Sequence, residues 1–108
     1  PTIHDAGRKG VPEMMAELLE KVAADLTTAR DDLAAAGAGR DHEALRAASH
    51  IVIGVAGAIG ASRLQQSARR LNTAANAEDD ATVGELIPGC VVEIDAAVAF
   101  THAERAGR

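Results

Sequence analysis

The sequence predicts an all-α protein folded as an antiparallel four-helix bundle. Aromatic residues make up 1% of the 108 residues, so the core must be built from aliphatic side chains and alanine, whose small size lets helices approach closely. Apolar residues recur three and four positions apart in four separate stretches, which is the spacing of core-facing helices rather than of strands. The segments between these stretches are short, and short loops join antiparallel neighbours in a bundle.

The first helix is predicted to begin near Pro12, since proline fits a first helical turn, where its missing N–H is not needed. Gly37 and Gly39 are predicted to end it. Residues 1–11 have no clear periodicity and are predicted to be a mobile lead-in or a short packing segment outside the bundle. The predicted core-facing stripe of this helix is Met15, Leu18, Val22, Leu26, Ala29 and Leu33.

The second helix is predicted to begin near Asp41, whose side chain is a natural N-cap, and to end between Gly57 and Gly60. At roughly 100° per residue, His50 falls nearly opposite the apolar stripe of this helix. The histidine is therefore predicted to be exposed at mid-helix. The stripe consists of Leu45, Ala48, Val52, Val55 and Ile59.

The third helix is predicted to open with a capping box, because Ser62 is followed three residues later by Gln65. A polar connector over residues 76–80 is predicted to end it. Its predicted inner face consists of Leu64, Ala68, Leu71 and Ala75.

The fourth helix is predicted to open with a second capping box, formed by Thr82 and Glu85. Pro88 follows about one and a half turns later and allows two interpretations. Either it kinks the helix, or it marks the true start and residues 82–87 form a separate turn. The predicted inner stripe is Leu86, Ile87, Val91, Ile94, Val98 and Phe100.

Composition narrows the class of protein. A chain of this length is predicted to be one domain over residues 1–108, and its net charge of −5 argues against nucleic acid as a main partner. The single Cys90 cannot form an internal disulfide and is predicted to be a buried thiol in a reduced, cytoplasmic protein. No stretch approaches the roughly 20 apolar residues of a membrane span, and the first residues lack the features of a signal peptide.

Two glycines stand beside the predicted exposed histidine. Gly54 and Gly57 lie four and seven residues after His50, on the same side of the helix. An interior glycine costs a helix roughly 1 kcal/mol relative to alanine. Two of them beside one histidine predict that they leave room for a large partner to approach it.

The segment from about Ala47 to Asn76 resembles the histidine-containing phosphotransfer (HPt) domains of bacterial two-component phosphorelays. That family's pattern is a histidine, a lysine three residues later, a glycine four residues later, and a glycine-rich stretch leading to a leucine on the next helix. Ile53 occupies the position of the usual lysine, and residues 55–61 read Val-Ala-Gly-Ala-Ile-Gly-Ala. The matching positions are His50, Gly54, Gly57, Gly60 and Leu64.

The resemblance implies a phosphorelay intermediate. His50 would accept a phosphoryl group from the aspartyl phosphate of one receiver domain and pass it to another. The expected partners are response-regulator receiver domains, a hybrid histidine kinase, or both, and the chain is expected to be a monomer. Mg²⁺ is expected on the receiver, so no cofactor is expected here. The sequence has no phosphate-binding glycine loop and no kinase ATP-binding boxes, so the chain is expected to be a phosphoryl carrier rather than a self-contained enzyme.

The resemblance also implies roles for neighbouring residues. Isoleucine at position 53 cannot offset the phosphoryl charge as the family's lysine does, so Arg46, one turn before His50, is expected to supply that charge. Asn72 falls where the family often carries Glu or Gln and is expected to hydrogen-bond the imidazole. The docking surface is expected to include Ile53, Gly54, Gly57 and Arg69.

Two other functions stay open. A degenerate HPt-like adaptor would bind a receiver or kinase without carrying phosphate, which the replacement of lysine by Ile53 favours. A dimerising helical bundle would have no relay role. A metal site is not expected, because His4, His42 and His102 lack supporting cysteine or carboxylate spacing.

Overall fold

The computed structural model describes residues 10–106 as four helices without a strand. Each helix packs on the next one in the chain, and the fourth packs on the first, which closes the ring. The predicted four-helix bundle is therefore confirmed, while the predicted lead-in lies almost wholly outside the described residues. The helices are α1 (Val11–Gly39), α2 (His42–Ala58), α3 (Ser62–Asn76) and α4 (Asp80–Ala106).

The core is aliphatic, as the composition predicted. Large side chains from all four helices are fully buried, among them Leu26, Leu45, Leu71 and Ile94. All four predicted inner residues of α3 are buried, and Val55 and Ile59 of the α2 stripe are partly buried. None of the four helices is long and apolar enough to cross a membrane.

The first and last helices are much longer than the two helices between them. α1 has 29 residues and α4 has 27, whereas α2 has 17 and α3 has 15. The start of α1 and the end of α4 consequently project past the α2–α3 turn as a two-helix extension, which we define as residues 11–18 and 99–106. An ion pair joins the two helices near this extension, where Arg105 Nη2 lies 3.1 Å from Glu20 Oε2.

Three predicted core residues lie in the extension and are exposed. Met15 is 37% exposed, Leu18 53% and Phe100 60%. Their assignment to the core was wrong, because the apolar stripes continue beyond the point where α2 and α3 cover them. In α1 the buried stripe begins instead at Leu19.

The predicted end of α1 at its glycines is only partly right. The helix passes through Gly37 and ends at Gly39, and the left-handed residue that terminates it is Arg40, with φ of 54°. Gly37 has another role, since a Cβ at this position would collide with Ile87 Cδ1 of α4. This glycine allows close packing of α1 and α4.

Aspartates cap the starts of α2 and α4, and neither predicted capping box forms: the start of α3 has no side-chain cap. Asp41 accepts a hydrogen bond from the Ala44 amide at 3.0 Å, as predicted. At the start of α4, Asp79 accepts one from the Thr82 amide at 3.2 Å and one from Thr82 Oγ1 at 2.6 Å. Thr82 is therefore inside the helix and is not its cap. Ser62 is likewise the first residue of α3 rather than its cap.

Pro88 lies inside α4, which is continuous across it. The alternative interpretation, in which Pro88 marks the true start of the helix and residues 82–87 form a separate turn, is therefore wrong. Nearby, Cys90 is a buried free thiol, as predicted. Burial, and to a smaller extent the charge of Glu93, raises the pKa of the Cys90 thiol to about 11.

Candidate functional site

His50 lies in the middle of α2 on its solvent-exposed face. The same helix buries Leu45 and Val52 completely on the opposite face. Within residues 10–106 the imidazole has no hydrogen bond or ion pair with any other group. The predicted exposure is confirmed, and the ring nitrogens are accessible for reaction with an approaching molecule.

The two glycines beside His50 have different surroundings. A Cβ added at Gly54 would have nothing within 4 Å, so this glycine keeps the surface next to the histidine open. A Cβ added at Gly57 would lie 2.5 Å from Gln65 Nε2 of α3. Gly57 therefore makes room for the Gln65 side chain of the neighbouring helix, but it is itself exposed, and the expectation that it also leaves space for a partner stays a prediction.

Gln65 links α3 to α2 across the space left by Gly57. Its Nε2 donates a hydrogen bond to the carbonyl of Ile53 at 3.2 Å. The Ile53 side chain is partly buried and packs against the hydrophobic core. Residue 53 is thus on the edge of α2 that faces α3, and only part of its side chain is available to a partner.

Arg46 is one turn before His50 and is partly buried. Its guanidinium forms no ion pair with a carboxylate in the part of the chain that the structure describes. No carboxylate in this part of the chain therefore offsets the positive charge of Arg46. A positive charge one helical turn from the histidine can interact favourably with an anion bound at the imidazole.

Asn72 does not hydrogen-bond the imidazole, contrary to the expectation from the sequence. Its Nδ2 donates to Ser49 Oγ at 2.9 Å and to the Arg46 carbonyl at 3.3 Å. Asparagine is one methylene shorter than glutamine, and its amide reaches the Ser49 hydroxyl and the Arg46 carbonyl of α2 but not the imidazole. Any support that it gives to His50 is therefore indirect.

Ser49 is the site residue that the sequence did not indicate. It directly precedes His50, yet it is fully buried between α2 and α3. Its hydroxyl donates to the Arg46 carbonyl at 3.2 Å and accepts from Asn72. A signal was present, since Ser49 lies about 100° from His50 on the helix, toward the side of Val52 and Ala56.

Arg69 is exposed on α3. It borders a surface groove that α3 shares with α4, together with Arg70, Thr82 and Glu85. The structure thus places this predicted docking residue on the helix next to His50, in a groove that involves α4 rather than α2.

The other histidines are separate from this site. His42 begins α2, and its Nε2 lies 2.7 Å from Asp80 Oδ1 at the start of α4, while its Nδ1 lies 3.9 Å from Glu78 Oε1. His42 therefore links the start of α2 to the start of α4 at one end of the bundle. His102 is exposed on α4, and His4 lies outside the described residues. Between residues 10 and 106 no group of three or more potential metal ligands occurs.

Comparison with known proteins identifies a family that the chain resembles over most of its length. The family model described as the Hpt domain matches residues 13–99, which run from the first turns of α1 into the last turns of α4. The matched range contains His50 and all the residues described around it. No curated protein and no solved structure matches the chain significantly.

Proposed function

The chain belongs to the Hpt domain family of two-component phosphotransfer proteins, and from this membership we propose that it is a phosphorelay intermediate that carries a phosphoryl group on His50. Hpt domains interact with receiver domains and kinases in phosphorelays. The proposed donor is the aspartyl phosphate of one receiver domain, and the proposed acceptor is the aspartate of another.

The observation that carries the proposal is an exposed histidine whose ring is free beside an open surface. Phosphoryl transfer needs the attacking and leaving atoms roughly in line with phosphorus. A ring nitrogen of His50 attacks the phosphorus, the bond to the aspartate oxygen breaks, and its electron pair stays on the carboxylate. Transfer to the second receiver reverses these steps. Gly54, without a side chain, leaves the approach to the ring unobstructed.

The neighbouring residues receive unequal roles in this proposal. Arg46 supplies the positive charge that Ile53 cannot, because its guanidinium is one turn from His50 and has no acidic partner among the described residues. Gly54 and the exposed part of Ile53 contact the receiver directly. Gly57 contributes through the packing of α3, and Arg69 contributes at the outer edge of the contact. The receiver brings the Mg²⁺.

A phosphate-free adaptor is the second candidate function. It is favoured by one observation, the isoleucine at position 53, where the family's usual lysine would stand near the phosphoryl group. An adaptor would bind receiver domains with the same surface and would not become phosphorylated. Binding without phosphorylation is therefore the result that would support it.

Intact-mass measurement tests the two functions. The protein is incubated with a receiver domain that has been phosphorylated with acetyl phosphate. We expect the wild type to gain the mass of one phosphoryl group, in an acid-labile form, and His50→Gln to gain none. His102→Gln is the matched control, because it removes another exposed histidine, and it should behave as wild type. Phosphorylation of His50→Gln at the wild-type rate would contradict the assignment.

A further inference from the structure

Three hydrogen-bond donors meet at the carbonyl oxygen of Arg46. In an α-helix the amide of residue i bonds to the carbonyl of residue i−4, so this carbonyl accepts the amide of His50. Ser49 Oγ donates to the same oxygen at 3.2 Å, and Asn72 Nδ2 donates to it at 3.3 Å. The helical turn that carries His50 is thus bonded to α3 as well as within α2.

The orientation of the Asn72 amide is fixed from within α3. Asn76 Nδ2 donates to Asn72 Oδ1 at 2.9 Å, so the Asn72 oxygen faces Asn76 and its Nδ2 faces α2. That Nδ2 also donates to Ser49 Oγ at 2.9 Å. Ser49 has no solvent exposure, and a buried hydroxyl without a protein partner is unfavourable. Ser49 and Asn72 therefore hold each other in one arrangement.

We infer that Asn72 and Ser49 are positioning residues for His50: together they fix the turn Arg46–His50 against α3 and so set the direction in which the exposed imidazole projects. This inference rests on the proposed function, since the direction of the ring matters most for an in-line transfer. The exposed face of α2 offers no alternative support for the ring, because the imidazole has no hydrogen bond or ion pair with any described residue. Gly54, one turn later, adds no side chain that could brace the ring.

The functional consequence is a loss of rate rather than of binding. A reacting group that is misplaced by about 1 Å can lose roughly a hundredfold in rate. Ser49 is fully buried between α2 and α3, and Asn72 is partly buried there with its amide turned toward α2, so we do not assign either side chain to the docking surface. Their removal should therefore lower the maximal transfer rate while the receiver still binds.

The test compares Asn72→Ala and Ser49→Ala with a matched control. Ser67→Ala is that control, because the Ser67 hydroxyl on α3 donates its hydrogen bond to Glu93 of α4 rather than to a group of α2. The transfer rate is measured at increasing concentrations of a receiver phosphorylated with acetyl phosphate, which separates the maximal rate from the half-saturating concentration. Amide hydrogen exchange at residue 50, followed by NMR, reports directly on the turn.

We expect Asn72→Ala to lower the maximal rate by about tenfold, to leave the half-saturating concentration within about twofold, and to accelerate exchange of the His50 amide. Ser49→Ala should act in the same direction, and more weakly, because Asn72 can still donate to the Arg46 carbonyl. Ser67→Ala should leave both the rate and the exchange of the His50 amide near their wild-type values.

Wild-type rates and exchange in both Asn72→Ala and Ser49→Ala would overturn the inference, as would an equal loss of rate in Ser67→Ala. If wild-type His50 accepts no phosphate, the proposed function fails and the exchange measurement decides alone. Accelerated exchange in Asn72→Ala, absent from Ser67→Ala, would still show that Asn72 holds the turn. Unchanged exchange would reject that role.

Discussion

Gly54 and Gly57 lie one and two turns after His50, and they have different surroundings on α2. Position 54 opens to solvent, whereas position 57 lies against the amide of Gln65. By helix propensity alone, alanine in place of either glycine should raise the free energy of unfolding by roughly 1 kcal/mol. Only at position 57 does that gain compete with the packing of α3.

We predict that Gly54→Ala raises the free energy of unfolding by about 1 kcal/mol. Gly57→Ala should give almost no gain, because the new methyl displaces Gln65 from the Ile53 carbonyl and the lost hydrogen bond costs about 1 kcal/mol. Urea unfolding of the two variants beside wild type measures the difference. Equal gains at both positions would show that Gln65 can move without loss.

Ile53 lies about one turn after His50, so a charge introduced at this position would lie near the proposed phosphoryl group. We predict that Ile53→Lys lengthens the lifetime of phosphohistidine or shifts the transfer equilibrium toward this protein. A cation about 4 Å from a charged oxygen gains roughly 4 kcal/mol at an effective dielectric near 20, which screening and side-chain entropy reduce to about 1 kcal/mol.

Partial burial of Ile53 adds a cost to that substitution. The lysine stem can remain against the core while its ammonium reaches solvent, so we expect a small loss of stability. Ile53→Met is the control, since it has an unbranched side chain without charge. If phosphohistidine half-lives of the lysine and methionine variants agree within about twofold, Arg46 or the receiver already supplies the charge.

At the scale of the helices, the starts of α2 and α4 depend on aspartate side chains. The hydrogen bonds from the Thr82 side chain and backbone to Asp79 lower the pKa of its carboxyl group. A carboxylate whose pKa is lower in the folded state stabilises that state above its unfolded pKa and loses this contribution as the pH falls through its folded pKa. Asp79 therefore contributes to stability at neutral pH and not in strong acid.

We predict that Asp79→Ala lowers the melting temperature at neutral pH and has little effect at about pH 2, below the usual range of aspartate pKa values. Asp79→Asn is the matched control, because asparagine also caps helices but does not titrate in this range. Its melting temperature should depend less on pH below about pH 4 than that of wild type. Parallel pH profiles for wild type and Asp79→Asn would exclude this contribution.

The stripes of α2 and α3 could be predicted from the sequence because these helices are covered along their whole length. Periodicity identifies the apolar side of a helix, but it does not say how far the neighbouring helices reach, which is why Leu18 and Phe100 were assigned to the core. The capping boxes failed for a local reason. Asp79 is one of the strongest capping residues and precedes Thr82 at the spacing that such a cap requires.

The candidate site also has features that the sequence could predict and features that it could not. Exposure of His50 followed from its phase on one helix. The contacts of Ser49, Asn72 and Gln65 depend on the register between α2 and α3, which packing sets and spacing within a single helix does not reveal.

At the scale of the whole molecule, the two ends of the bundle differ. At one end, the contact between His42 and Asp80 joins the first residues of α2 and α4. At the other end, the two-helix extension consists of only two helices packed side by side, whereas the rest of the bundle has four. The large apolar side chains of the extension are exposed. Segments with few buried contacts open locally at a lower free-energy cost than the core.

We predict that the extension exchanges its amide hydrogens faster than the rest of the same helices. In α1, the amides of residues 15–18 should exchange before those of residues 26–33, although both groups are hydrogen-bonded within one helix. In α4, the amides of residues 103–106 should exchange before those of residues 90–94. Mass spectrometry of peptic fragments resolves these segments. Uniform protection along α1 would mean that something covers the extension in solution.

Burial of Cys90 makes the protein suitable for attachment of a fluorescent reporter at one chosen place. It is the single cysteine of the chain, and with a pKa raised to about 11 its thiol is protonated at neutral pH and therefore a poor nucleophile. A maleimide dye should modify Phe100→Cys, at a position that is 60% exposed in the native side chain, and leave Cys90 unmodified. The dye would then report on receiver binding from beyond the α2–α3 turn, without occupying the surface around His50.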